Sequence, residues 1–71
     1  MQGTHVEIRV NGEIREVPPA QSVSALLDWL KIPRDRVAVE LNKNIVRKRD
    51  WDMTVVPDAA QLEIVEFVGG G

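Results

Sequence analysis

The chain has 71 residues, no cysteine, and 11 acidic against 9 basic side chains, for a net charge of −2. This length makes one domain, and the missing cysteines exclude a disulfide framework and any thiolate metal site. The near-balanced charge gives no general attraction to nucleic acid or to an anionic membrane, while a hydrophobic content of 44% suffices for an apolar core and argues against disorder.

The opening MQGTHVEIRV alternates instead of forming an apolar block, so no signal peptide is expected. No apolar run approaches the length of a membrane span, and a cytoplasmic location is the default expectation. Over residues 5–11, Val6, Ile8 and Val10 share one side and Glu7 and Arg9 the other, the pattern of a half-buried strand. Asn11-Gly12 then signals a hairpin, because both residues tolerate positive φ. Glu13 to Val17 return as the second strand. A two-residue turn sets Glu13 opposite Val10, and a three-residue turn pairs Val10 with Ile14. The longer turn is the expected one, since it places apolar against apolar.

Pro18-Pro19 ends that strand, and Ser22 is placed to cap a helix. Val23, Leu26, Leu27 and Leu30 follow at i, i+3, i+4 and i+7, one apolar stripe of a short helix. Lys31 falls in the expected last turn and Pro33 stops it. Trp29 lies on the flank of the stripe, as a partly packed residue. Val37, Val39 and Leu41 point inward from a third strand. Asn42, Lys43 and Asn44 read as a turn, and Ile45-Val46 as the start of a short strand. Arg47, Lys48 and Arg49 read as a solvated loop beside Asp50 and Asp52, with Trp51 closing the core. Pro57-Asp58 suits the two central positions of a type I turn. Residues 62–68 form the last strand. Two hairpin-like units, one helix and a final strand make an α+β domain: a sheet with the helix packed on one face.

No catalytic constellation is visible. His5 is isolated and reads as an exposed residue at a strand edge, the carboxylates are scattered over solvent faces, and no glycine-rich loop precedes a helix. Ser22 and Ser24 are accounted for by helix capping. No catalytic residue and no metal site are therefore expected. The chemistry left is at the end, EFVGGG. Glycines lack a Cβ and allow close backbone approach, so Gly69 and Gly70 could thread a narrow channel and present the Gly71 carboxylate to another protein's active site. Three glycines alone would equally suit a frayed terminus. The strand before them adds weight: Leu62 and Ile64 face one way, Val65 and Phe67 the other. If the helix covers the first pair, Val65 and Phe67 lie on an open face and form a partner surface.

VAVELNKNIVRKRDW followed by QLEIVEFVGGG resembles the sulfur-carrier proteins of thiamine biosynthesis, the ThiS family, which are ubiquitin-like β-grasp proteins. The NG hairpin, the SVSALLDWL helix, the stretch over residues 42–51 and the terminal glycine pair all match in order and spacing. Two turns depart from the family pattern: PDAAQLEIV stands where a glycine-aspartate turn is usual, and a lysine occupies a turn where NGE is common. The resemblance implies a β-grasp domain over 1–68, with a mixed sheet of four to five strands and one helix, and a flexible glycine tail over 69–71. It implies no bound cofactor. An E1-like enzyme would adenylate the Gly71 carboxylate with ATP, a cysteine desulfurase relay would supply sulfur to make a thiocarboxylate, and thiazole synthase would take that sulfur. The chain would be a co-substrate, not an enzyme, and a monomer when free. The small subunit of molybdopterin synthase shares the fold, the tail and the thiocarboxylate chemistry and is the alternative sulfur-carrier reading. A ubiquitin-like modifier joined to lysines and a plain interaction domain with an inert end are the others.

Overall fold

The computed structural model describes residues 5–67; the expectations for Val68 and for Gly69, Gly70 and Gly71 lie outside them. In chain order the elements are β1 (Val6–Val10), β2 (Glu13–Val17), α1 (Val23–Trp29), β3 (Val37–Leu41), β4 (Asn44–Val46) and β5 (Gln61–Glu66). Single turns of 3₁₀ helix at Arg34–Arg36 and Lys48–Asp50 precede β3 and follow β4. The strands form a five-stranded sheet in the order β2-β1-β5-β3-β4. The β1–β5 pair is parallel, and the other pairs are antiparallel. Ile8, Val10, Val17, Val37, Val39, Leu62 and Ile64 of the sheet pack with Val23, Leu26 and Leu27 of the helix in one core. This is the expected mixed sheet with one covering helix.

Both hairpins turn on two residues with positive φ. Asn11 and Gly12 have φ of 52° and 84°, and Asn42 and Lys43 have 51° and 71°. Two consecutive left-handed residues give the turn whose twist matches that of the flanking strands. The first hairpin therefore pairs Val10 with Glu13 and Arg9 with Ile14, which corrects the expected Val10–Ile14 pairing. Turn geometry outweighs apolar matching, and Ile14 is left 53% exposed. In the second hairpin Asn44 is the first residue of β4, opposite Leu41, and not part of the turn.

The two turn asparagines also hold β5. The register with β1 covers Arg9–Gln61 and Val10–Leu62. Past that point the Asn11 side chain takes over, its Oδ1 accepting from the Ile64 N–H at 2.7 Å and its Nδ2 donating to the Ile64 carbonyl at 3.1 Å. On the other side Asn42 Oδ1 accepts from the Gln61 N–H at 2.9 Å, and the Asn42 N–H donates to the Gln61 carbonyl at 2.7 Å. Each amide supplies ladder bonds where its own strand has turned away, which a buried strand requires.

The first-turn donors of α1 are all satisfied. Ser22 Oγ accepts from the Ala25 N–H at 3.0 Å, while the Val23 and Ser24 N–H groups donate to the Thr54 and Trp51 carbonyls. Ser22 is the cap, as expected; Ser24 is not, since its hydroxyl donates to Asp52 Oδ1. At the other end Lys31 has φ of 61° and lies past the last turn instead of within it. Its N–H donates to the Asp28 carbonyl and the Ile32 N–H to the Leu27 carbonyl, the Schellman arrangement that ends a helix. Pro33 follows this stop and does not create it. Trp51 is buried, with its indole N–H donating to the Val46 carbonyl at 2.9 Å, so it closes the core as read. At the last turn the Ala60 N–H donates to the Pro57 carbonyl. Asp58 and Ala59 are therefore the central pair, and φ of 64° at Ala59 marks a type II turn instead of the expected type I.

Candidate functional site

β5 is the third of five strands, and it carries the chain toward its last residues. The Phe67 N–H donates to the Arg36 carbonyl at 2.7 Å, so the chain stays tied to the segment before β3 up to Phe67. Four residues follow Phe67 in the sequence, and four residues reach at most about 14 Å.

The side chains beside that exit follow from the register. Val39 pairs with Ile64 and Leu41 with Leu62, toward α1; Ala38 pairs with Val65 and Glu40 with Glu63, away from it. Leu62 and Ile64 are buried, while Val65 is 57% and Phe67 56% exposed. The face assignment read from the sequence is the observed one. The structure adds Ile45, 75% exposed and directly opposite Glu40 on β4. Sequence reading missed it because three residues of β4 are too few to show a period. Ala38, Ile45, Val65 and Phe67 thus share the uncovered face with Glu40 and Glu63.

A depression of about 420 Å³ lies elsewhere, between β1, Ile14 and the turn at Asp58 and Ala59, and includes His5. His5 is exposed, with its ring 6.3 Å from that of Trp29. β1 and β5 run parallel with Arg9 opposite Gln61, which sets His5 and Phe67 roughly 30 Å apart along the strand direction. The depression is therefore remote from the exit of the chain. Among the described residues no group of three or more His, Cys, Asp or Glu side chains could hold a metal ion. No helix among them is long and apolar enough to cross a membrane.

The ThiS family model matches residues 8–71, a span that includes the three final glycines. The chain belongs to the ThiS family. A crystal structure of the thiamine biosynthesis protein ThiS from Geobacter metallireducens superposes with a TM-score of 0.81 at 33% identity, covering 93% of this chain and 100% of that one. The fold is accordingly the ubiquitin-like β-grasp of ThiS proteins. A thiazole synthase from Paramagnetospirillum magneticum is 41% identical over 66 residues, 93% of this chain. The chain spans about a fifth of that protein's length, the aligned part being 20% of it. The uncharacterized protein ycf40 of Porphyra purpurea is 31% identical over the full length of both chains.

Proposed function

We propose that this chain is the sulfur carrier of thiamine biosynthesis, bearing sulfur as a thiocarboxylate at Gly71 and delivering it for thiazole formation. The observation that carries the reading is the family match running through Gly71 in a sequence that has no cysteine. Sulfur cannot be held here as a persulfide, and the end of the chain is the group left to hold it. In this reading an E1-like enzyme adenylates the Gly71 carboxylate with ATP, releasing pyrophosphate. The terminal sulfur of a persulfide loaded by a cysteine desulfurase relay then attacks the acyl carbon and AMP leaves; a second thiol cleaves the S–S bond of the resulting acyl disulfide, which frees the thiocarboxylate and leaves a disulfide on the sulfur donor for a thiol reductant to reset. Thiazole synthase is the acceptor, in keeping with the relative of that name. The chain is a co-substrate of these enzymes and supplies no catalytic residue.

The fold's part is positional. With a reach of about 14 Å beyond Phe67, Gly71 enters a partner's active site when the sheet itself sits against that partner. Val65 and Phe67 are the docking residues, next to the exit and already on the uncovered face. Gly69 and Gly70 thread the channel, since they bring no Cβ to it. Deletion of Gly71 tests this. The shortened chain should keep its far-ultraviolet circular dichroism and melting temperature and no longer support ATP–pyrophosphate exchange by the adenylating enzyme. Undiminished exchange would refute the reading.

A further inference from the structure

Glu40 on β3 and Glu63 on β5 are cross-strand partners on the uncovered face, and both are exposed. The bonds of Arg36 with Phe67 and of Asn42 with Gln61 place the Glu40–Glu63 pair in the hydrogen-bonded class, with Cα atoms about 5.5 Å apart. Like charges directly opposite each other destabilise a sheet. The fold does not compensate them: among the described residues neither carboxylate has an ion pair or a hydrogen bond. Arg9 on β1 lies opposite Gln61, one row away, and makes no ion pair with Glu63. The pair is framed by apolar surface. Ile45 lies opposite Glu40 on β4, and Val65, opposite Ala38, lies two residues along β5 from Glu63.

We propose that the protein surface covering this face seats one arginine between Glu40 and Glu63, with apolar side chains around it against Ile45 and Val65. The inference rests on the sulfur-carrier reading for the partner's identity, which is the adenylating enzyme. Two carboxylates at this separation set the sign of the partner's charge. A planar guanidinium can donate to both at once, which a point-like ammonium does less well. An uncompensated repulsion within an exposed apolar patch is a cost to the free protein that a cationic partner removes on binding. The neighbouring exposed apolar side chains exclude water around the contact, where a charge pair discriminates best between partners.

The test is the double variant Glu40→Gln/Glu63→Gln, which keeps shape and removes charge. Its thermal midpoint should equal or exceed that of the parent protein. Its Kd for the adenylating enzyme should rise about tenfold or more, with a weaker dependence on salt, while saturating enzyme still converts it to the thiocarboxylate. The control Glu13→Gln/Glu16→Gln, with the same charge change on the far edge strand, should bind nearly as the parent does. Unchanged affinity of the first variant overturns the proposal. So does an equal loss in the control, which would indicate general charge attraction, or a lower affinity with unaltered salt dependence, which would indicate a neutral donor. Failure of the carrier reading shows separately, as a parent protein that acquires no sulfur at all.

Discussion

Phe67 is the last described residue, tied to the sheet by its backbone and exposed at its side chain. Its N–H is bonded to the Arg36 carbonyl, but over half of its side chain faces solvent, at 56% exposure. Full burial of a phenylalanine side chain contributes about 1.5–3 kcal/mol, so the free protein draws only a fraction of that. Phe67→Ala should cost about 1 kcal/mol of stability and about tenfold or more in affinity for the adenylating enzyme. Titration calorimetry beside thermal melts checks both; a variant that melts far earlier and binds normally would make Phe67 a core residue. Asn11 is the opposite kind of residue, a turn former whose side chain works at a distance. Asn11→Gly retains the positive φ of the hairpin but removes both amide bonds to Ile64. We expect a loss of about 1–3 kcal/mol in chemical denaturation; an unchanged midpoint would mean that the bonds to β5 contribute nothing. An Asn-Gly pair announces a hairpin, but no local pattern tells that its amide reaches a strand 53 positions away.

At the scale of elements, what was legible follows from where the determining information lies. The alternation of Val6, Ile8 and Val10, the stripe of Val23, Leu26 and Leu27, and the Ser22 cap are local, and the structure has them as read. The first hairpin's register is decided by turn geometry and not by side-chain pairing. Asn11 and Gly12 together prefer the two-residue turn strongly enough to leave Ile14 on the surface. The end of α1 is hidden in the sequence for a related reason: Lys31 is not a residue type that signals a left-handed stop, yet it has φ of 61°. Lys43 occupies the same region, in the position that Gly12 fills in the first hairpin. A left-handed conformation costs an ordinary L-residue roughly 1–2 kcal/mol, partly offset by the extra chain entropy a glycine loses on folding. Lys43→Gly should therefore raise stability by about 0.5–1 kcal/mol. Gly12→Ala should lower it by a similar amount, although an added Cβ meets nothing within 4 Å. If both variants melt as the parent does, the two turns are not under backbone strain.

At the scale of the whole molecule, one sheet face is buried in the core under α1 and the other is exposed, and β5 contributes side chains to both. The sequence shows Val65 and Phe67 on the uncovered face, because β5 is long enough to display its period. The opposition of Glu40 to Glu63 depends on which strands become neighbours, a property of the assembled sheet, and the three residues of β4 are too few to show which way Ile45 faces. The account stands on the end of the chain being the reactive group. Incubation with ATP, the adenylating enzyme and a sulfur source, followed by tandem mass spectrometry of the C-terminal peptide, measures it directly. The account predicts replacement of one oxygen by sulfur, localised to Gly71. An unaltered peptide, an adduct on another residue, or a lysine-linked conjugate in place of the thiocarboxylate would contradict it.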